Sequence, residues 1–317
     1  MPTGYEVGEL LRGDLRSRPD HFALALLMTP HTSNADSSSR ELASYYERHM
    51  AVVDGVAYGW RGRDQPQRLR DGVLQVGVSW DAYFALLVDA SLVTWTDNTR
   101  SSTVLMRGVA SFAVGASGWF AIDASGVLWH ASTPAGAHGA PRRVADGVVA
   151  ACIGDSADYY VTRAGQLFAQ GLAHRGQYGD GLLTATPGFV PTANEAVAVK
   201  AHTGHAIHLR RDGTVMGTGG NRFGPLSSHG LGDKADRWGA IFQGANAIAT
   251  GSRHSLAIRA DASLWGWGEG FAIAPVKLMD QVVAVAAGDT ATIARQADGT
   301  LWQWDGGGTP HRLKLPP

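Results

Sequence analysis

One phrase occurs seven times along the chain, and it constrains the fold more than any other feature. Each copy contains an apolar strand, a turn of the Asp-Gly type and a second strand that ends in an aromatic residue or a glycine. The clearest copies are Ile248–Gly268 and Val283–Trp304. Self-similarity at a period of 20–50 residues is typical of repeat architectures. The seven turns are Asp54-Gly55, Asp89-Ala90, Ser125-Gly126, Ala164-Gly165, Asp212-Gly213, Asp261-Ala262 and Asp298-Gly299.

The repeated unit is predicted to be a small antiparallel sheet. Apolar and polar residues alternate in segments such as His254–Arg259, which is the period of a half-buried strand. An Asp-Gly pair predicts a tight two-residue hairpin, because glycine adopts a positive φ without steric cost. One such unit cannot bury both faces of its sheet, so the units must pack on one another. Four-stranded units of about 40 residues commonly close into a ring. We therefore predict an all-β fold, a seven-bladed β-propeller of four-stranded antiparallel blades.

The domain boundary is predicted where the repeats begin. We expect an N-terminal extension over residues 1–40 and the propeller over residues 41–317. The extension contains an apolar segment, Phe22–Leu27, followed by a linker rich in serine and asparagine. We expect this apolar segment to supply a strand that completes the last blade.

The last four copies carry a recognisable consensus. Ala287-Gly288, Asp298-Gly299 and Trp302 carry it in the seventh copy, and His254-Ser255 in the sixth. A glycine-rich tail motif stands at Gly176–Gly181 in the fourth copy. These residues resemble the regulator of chromosome condensation repeat. The resemblance implies a seven-bladed propeller and is weaker in the first three copies.

Composition excludes several classes of protein. The net charge of −1 lacks the basic surplus that is usual for nucleic-acid-binding domains. Cys152 is the single cysteine, so no intrachain disulfide forms, which fits a reducing compartment. The apolar run Phe22–Met28 is too short to span a membrane, and the acidic residues before it are untypical of a signal peptide. We expect a soluble, cytoplasmic, monomeric protein of bacterial origin that binds neither nucleic acid nor membranes.

No arrangement of residues predicts catalysis. His202, His205 and His208 are spaced three apart, but strand residues at this spacing point to opposite faces, which disfavours a metal site. The sequence has no nucleophile elbow, P-loop or dinucleotide fingerprint. We therefore predict that the protein is not an enzyme and uses neither a cofactor nor a metal.

The loop that follows the first strand of each copy is the candidate partner-binding site. These loops vary between copies and carry aromatic and charged residues, and equivalent loops of a propeller lie on one face. Tyrosine, tryptophan and arginine dominate interface hot spots. The alternative is that the aromatic rings fold back onto neighbouring blades. The predicted partner-binding residues are Tyr45, Tyr46, Trp80, Asp81, Tyr83, Trp119, Asp155, Asp158, Tyr159, His202, Arg253 and Asp289.

Two long loops, His174–Pro187 and Asn221–Trp238, are candidates for a second contact surface. The repeat family includes a bacterial propeller that inhibits β-lactamases, and this resemblance implies a comparable role. We expect a non-catalytic inhibitor or immunity-type protein that caps a partner enzyme or toxin with its aromatic loops. Two alternatives stay open. One is a guanine-nucleotide-exchange or chromatin-type factor of the same family, and the other is a propeller that binds a small ligand or a glycan.

Overall fold

The structure is a computed structural model that describes residues 40–97, 99, 101–132, 139–229 and 232–316. These residues form seven four-stranded antiparallel sheets, the blades, and contain no α-helix. The predicted all-β seven-bladed propeller is thus confirmed. Across the described part of the chain, no helix has the length and apolar character needed to span a membrane. The predicted closing strand Phe22–Leu27 lies outside the described residues.

Within each blade the four strands follow one another in sequence and pair as neighbours. Blades 1 to 4 comprise β1–β4 (Leu42–Tyr45, Arg48–Val53, Val56–Arg61, Gln67–Asp71), β5–β8 (Val73–Val78, Ala82–Leu87, Leu92–Thr96, Thr103–Met106), β9–β12 (Val109–Gly115, Gly118–Asp123, Leu128–Ser132, Arg142–Ala145) and β13–β16 (Val148–Ile153, Ala157–Thr162, Leu167–Gly171, Thr186–Ala193). Blades 5 to 7 comprise β17–β20 (Ala196–Ala201, His205–Arg210, Val215–Gly220, Lys234–Phe242), β21–β24 (Ala245–Thr250, His254–Arg259, Leu264–Gly268, Val276–Met279) and β25–β28 (Val282–Ala287, Ala291–Gln296, Leu301–Asp305, His311–Leu313).

The blades form a closed ring around a central channel. The first strand of every blade lines this channel. Each of these strands contacts the first strand of the next blade, and β1 contacts β25, so blade 7 meets blade 1. Across this junction the indole of Trp60 donates a 2.7 Å hydrogen bond to the side chain of Gln303, and Arg63 pairs with Asp305 at 2.9 Å. The first and last blades therefore join through side chains.

The hydrophobic core is divided among the junctions between blades. The described residues form seven buried clusters, and each combines residues of two adjacent blades. In one of them, Leu226 of blade 5 packs with Trp267 of blade 6. In the cluster that closes the ring, Leu42 of blade 1 packs with Ile293 of blade 7. Burial of each blade's faces thus depends on its two neighbours, as the repeat pattern predicts.

The seven predicted turns all join the second and third strands, but six of them are longer than predicted. Only blade 1 has a two-residue connection, Asp54-Gly55, in which both residues have positive φ. The other six connections span four residues and place a glycine or alanine with positive φ at the third position. The aspartate of these turns caps the loop, since the Asp212 carboxylate accepts the amide N–H of Thr214 at 2.9 Å. This capping explains why aspartate recurs where the hairpin is not of the two-residue type.

The turn residue with positive φ also connects adjacent blades. The carbonyl of Gly126 in blade 3 accepts the amide N–H of Val148, the first strand residue of blade 4, at 2.9 Å. The same bond recurs at five further junctions, for example from Val282 to Ala262 at 2.8 Å. The repeated turn therefore sets the spacing of the blades as well as reversing the chain.

Strand order gives the ring two distinct faces. The loops between strands one and two and between strands three and four lie on one side, which we call the loop face. The turns between strands two and three and the connections between blades lie on the other, which we call the turn face. All the loops chosen from the sequence as the candidate site lie on the loop face.

Candidate functional site

Exposed apolar side chains are concentrated on the loop face. Of eleven large apolar residues that are exposed in the described part of the chain, seven lie in loops of this face. Trp80 is 68% exposed, Ile273 64% and Leu182 61%. Monomeric soluble proteins seldom expose large apolar side chains in contiguous groups without a use for them. The other four of the seven are Tyr46, Leu172, Leu183 and Phe223.

Tyr46 and Trp80 form a corner of two perpendicular rings, which we call the aromatic corner. Their centroids are 4.9 Å apart, and the ring planes are inclined at 85°. Tyr46 occupies the two-residue loop between β1 and β2 and has a φ of 49°. A bulky residue at positive φ is uncommon and costs about 1–2 kcal/mol. Residues in strained conformations cluster at binding and active sites.

The chain beneath Trp80 is held by a buried arginine. Arg48 donates from Nε to the carbonyl of Trp80 at 3.0 Å and pairs with Asp97 at 2.6 Å. Arg61 pairs with the same carboxylate at 2.9 Å. Burial raises the pKa of Asp97, but hydrogen bonds from Arg48 and Tyr83 and the two arginine charges outweigh it, so the pKa is lowered. The main chain that presents Trp80 is therefore fixed, although its indole ring is exposed.

Tyr45 and His202 close the loop-face mouth of the channel. They occupy equivalent positions at the end of the first strand, where blades 3, 4, 6 and 7 have glycine. The rings stack with their centroids 5.7 Å apart, and the Tyr45 hydroxyl donates a 3.0 Å hydrogen bond to Asp155. Burial and the neighbouring Asp155 raise the pKa of Tyr45 well above its ordinary value. This contact joins blade 1 to blades 4 and 5 across the mouth.

Hydrogen bonds continue from Asp155 along the mouth. The Thr203 hydroxyl lies 3.0 Å from the Asp155 carboxylate and 2.9 Å from the Ser252 hydroxyl in blade 6. Ser156 donates to the carbonyl of Thr203 at 2.6 Å. Burial lowers the pKa of His202, against an opposing effect of the Asp155 and Asp289 charges. The mouth is thus a connected polar surface with a neutral imidazole near neutral pH.

A second apolar patch lies on blades 4 to 6. The guanidinium of Arg253 lies 4.4 Å from the ring centroid of Phe223 and pairs with Glu269 at 3.1 Å. Sequence reasoning selected Arg253, and the loops that it chose as a second contact surface, His174–Pro187 and Asn221–Trp238, contain Leu182, Leu183 and Phe223. It did not select Leu172 or Ile273, which lie in the loops between the third and fourth strands of blades 4 and 6. The patch comprises Leu172, Leu182, Leu183, Phe223 and Ile273.

The long loops predicted as a second contact surface are anchored between blades. Tyr178 is fully buried, and the Tyr159 hydroxyl donates to the carbonyl of Gln177 at 2.7 Å. In the next loop Leu226 is fully buried, and the carbonyl of Pro225 accepts the indole N–H of Trp267 at 2.7 Å. The inner parts of both loops therefore stabilise blade junctions.

Among the predicted partner-binding residues, His202 at the mouth and three aromatic residues of second strands are buried. Trp119 is fully buried between blades 2 and 3. Tyr159 is 1% exposed and packs between blades 4 and 5. Tyr83 is 7% exposed and stacks on Trp95. All three belong to second strands, so they fold back onto neighbouring blades, as the alternative interpretation stated.

The predicted acidic residues are divided between exposed and partly buried positions. Asp81 is exposed, and its carboxylate accepts the hydroxyl of Ser79 at 3.2 Å. Asp289 is partly buried near the mouth. Burial raises the pKa of Asp158 to about 6, opposed by a hydrogen bond from Gln170. Asp158 lies at the start of β14, where it is partly covered.

Two buried histidines of second strands join adjacent blades. His205 bonds the Ser255 hydroxyl at 3.1 Å, and His254 bonds the Thr292 hydroxyl at the same distance, each across a blade junction. Among the described residues, no group of three histidine, cysteine or acidic side chains could hold a metal ion. Burial raises the pKa of the Cys152 thiol, which is the opposite of what a reactive cysteine requires.

The channel itself is small. Its cavity holds about 180 Å³, whereas small-molecule sites usually hold about 300–1,000 Å³. Gln75 bridges two of its walls through a 2.6 Å hydrogen bond to the carbonyl of Phe112. The channel therefore has little room for a small-molecule ligand of ordinary size.

No protein-family model matches the sequence, and no curated protein sequence matches it. Solved structures share its fold. Yeast RCC1 (Prp20), solved with Kap60 bound, has a TM-score of 0.72 at 15% identity, with 97% of this chain and 91% of the yeast chain covered. Saccharomyces cerevisiae Prp20p, reported with its binding to Gsp1p and histones, has a TM-score of 0.67 at 15% identity over 80% and 81% of the two chains. The ectodomain of the Arabidopsis thaliana receptor kinase ACR4 has a TM-score of 0.58 at 13% identity over 88% and 98%. At such identities the likeness concerns the fold.

Proposed function

We propose that this propeller is a non-catalytic protein-binding module whose loop face contacts the partner. The observation that carries the proposal is the grouping of exposed apolar side chains on that face and not on the other. The aromatic corner and the apolar patch lie on different sectors of the ring. A stable protein interface usually buries about 1,600 Å² in total, so a partner of ordinary size would have to contact more than one of these sectors.

The finer form of the proposal is an inhibitor or immunity-type protein that caps an enzyme. A rigid ring with closed blades presents its loops without ordering cost, and preorganisation favours tight binding. Trp80 and Tyr46 serve as anchors, and Arg253 with the apolar patch serves as a second contact. The buried residues Trp119, Tyr159 and Tyr83 have no direct part in this proposal.

Site-specific photo-crosslinking tests the proposed face. A benzophenone amino acid replaces Trp80 on the loop face or Val88 on the turn face, which are equally exposed at 68%. We expect a discrete protein adduct in lysate of the source organism from position 80 and none from position 88. The purified partner should then bind wild-type protein stoichiometrically and bind Trp80→Ala at least tenfold more weakly. Adducts from position 88 alone would place the contact on the turn face and contradict the proposal.

Partner identification also tests the inhibitor form. If the partner is an enzyme, one equivalent of the propeller should abolish its turnover. Unchanged turnover in a saturated complex would remove the inhibitor form and leave the binding module in place.

The fold likeness to yeast RCC1 favours a second candidate, an exchange or chromatin-type factor. This candidate predicts accelerated release of a fluorescent guanine nucleotide from a small GTPase partner, or a complex with histones. If the GTPase or the histones bind the turn face, neither nucleotide release nor histone binding should depend on Trp80. The nucleotide-release assay therefore separates the two candidates even when both bind protein.

A further inference from the structure

The aromatic corner lies in an acidic part of the loop face. Among the charged residues described in the loop-face loops of blades 1, 2 and 7 and in the strand ends that adjoin them, carboxylates outnumber arginines by three. Much of the positive charge is already used, because Arg48 and Arg61 share Asp97, and Arg63 pairs with Asp305. The carboxylates are Glu47, Asp64, Asp81, Asp97, Asp289 and Asp305, and the arginines are Arg48, Arg61 and Arg63.

Two of these carboxylates immediately follow the rings of the corner. Glu47 is the next residue after Tyr46, and Asp81 is the next after Trp80. Both are exposed, and neither forms an ion pair with another described residue. The described part of the protein therefore leaves two uncompensated negative charges next to an exposed indole.

An exposed aromatic face with adjacent carboxylates has a defined chemical preference. The faces of tryptophan and tyrosine rings carry negative electrostatic potential and attract ammonium and guanidinium groups, with tryptophan the strongest. Because the rings of Tyr46 and Trp80 are inclined at 85°, a cation placed in the angle between them would lie close to both. The carboxylates beside the rings favour basic partners and disfavour acidic ones, because charges of opposite sign on the two surfaces attract.

We propose that the aromatic corner binds a lysine or arginine side chain of the partner, which lies in the angle formed by the rings of Tyr46 and Trp80 and beside the carboxylates of Glu47 and Asp81. The inference rests on the proposed loop-face function and names the chemistry of the partner at one point of contact. It explains why a tyrosine is kept at a φ of 49°, where glycine or asparagine would be less strained. It also explains why Trp80 is the most exposed tryptophan and yet has a fixed main chain.

The test uses a minimal probe and the full-length protein. The probe is N-acetyl-arginine methylamide, and the matched control is N-acetyl-citrulline methylamide, which has nearly the same shape and no charge. Indole N–H signals of the ten tryptophans are followed by NMR after isotope labelling, and Trp80→Phe assigns the signal of interest. We expect a saturable shift of the Trp80 signal with the arginine probe and at least a fivefold smaller response with the citrulline probe. Trp265 and Trp302, whose indoles are internally hydrogen-bonded, should not shift.

Charge substitutions complete the test. The double variant Glu47→Gln, Asp81→Asn should weaken arginine binding at least threefold and leave the unfolding midpoint unchanged. Equal responses to both probes, no response, or unchanged binding by the double variant would each overturn the inference. The outcome is separable from that of the proposed function, because the probe needs no partner. Crosslinking at position 80 without a preference for arginine would leave the binding face in place and remove the basic contact.

Discussion

The phenol ring of Tyr45 stacks on the imidazole of His202 across the mouth of the channel, with centroids 5.7 Å apart and planes inclined at 20°. The two residues are separated by more than 150 positions in the chain and belong to blades 1 and 5. Four other blades have glycine at this position, and an added Cβ there would meet neighbouring atoms at under 3 Å, as at Gly115 and Gly251. Tyr45 and His202 are therefore the two large side chains among small residues at the mouth, and their stack connects opposite sides of the propeller.

The hydrogen bond from Tyr45 to Asp155 should contribute measurably to stability. We expect Tyr45→Phe to lower the free energy of unfolding by about 1 kcal/mol, which is typical for loss of one hydrogen bond with the ring retained. Urea unfolding measures the change. In an Asp155→Ala background the same substitution should cost almost nothing, because the acceptor is already gone. An equal cost in both backgrounds would show that the hydroxyl acts through another group.

Stability should fall as the solution is acidified below about pH 6.5. Burial lowers the pKa of His205 to about 3 and the pKa values of His49, His208 and His254 to about 4. The folded protein thus binds fewer protons than the unfolded chain in this range, so stability is full above the unfolded pKa and is lost as pH falls towards the folded values. Each histidine contributes a slope of about 1.4 kcal/mol per pH unit.

Urea midpoints measured from neutral pH to about pH 4.5 check this prediction. Asp158 acts in the opposite direction, because its raised pKa of about 6 favours the folded state on acidification. One carboxyl group opposes four histidines, so the net slope should remain positive with pH. The double variant His205→Gln, His254→Gln should show a markedly shallower slope, because the excess of these histidines over the opposing carboxyl group falls from three to one. A midpoint that is flat over this range would mean that the histidines are not neutral and buried together.

Substitution by alanine should lower the stability of the fold at Trp119 and should weaken partner binding, but not stability, at Trp80. Trp119→Ala removes a fully buried ring at the junction of blades 2 and 3 and should cost about 3–5 kcal/mol. Trp80→Ala removes a ring that is 68% exposed and should change stability by less than about 0.5 kcal/mol. Unfolding and partner binding measured on both single variants separate the two effects. A large loss of stability in Trp80→Ala would mean that its ring supports the fold.

Tyr46→Gly should separate stability from binding. Glycine removes the strain of a positive φ, about 1–2 kcal/mol, but the variant loses the contact with Trp80, about 0.5–1.5 kcal/mol. We therefore expect stability to change by less than about 1 kcal/mol while the partner binds at least tenfold more weakly. Asp54→Gly is the matched control, because Asp54 has a φ of 51° and lies on the turn face. If both variants bind the partner normally, Tyr46 is not an anchor.

The sequence was sufficient for the architecture because each repeat carries its own signal. Turn residues at fixed positions and the alternation of apolar and polar residues in the strands predicted seven sheets. The need to bury the faces of these sheets predicted a closed ring. The orientation of individual aromatic residues was not accessible in the same way. Trp119 and Tyr83 are the second residues of β10 and β6, and a shift of one residue in the predicted strand start moves a side chain from the loop to the core. The stack of Tyr45 on His202 depends on ring closure across the channel, and no local pattern encodes it.

The turn residues with positive φ provide a matched pair of opposite substitutions. Ala262 and Gly299 occupy the same position in blades 6 and 7, with φ values of 61° and 84°. Ala262→Gly should raise the free energy of unfolding by about 0.5–1 kcal/mol, because relief of the left-handed conformation exceeds the entropic cost of glycine. Gly299→Ala should lower the free energy of unfolding by a similar amount. The left-handed backbone conformation alone causes this loss, because an added Cβ there meets no atom within 4 Å. Thermal or urea unfolding of the two variants checks both signs. Changes of the same sign would mean that contacts of the turn, and not its backbone conformation, control stability at this position.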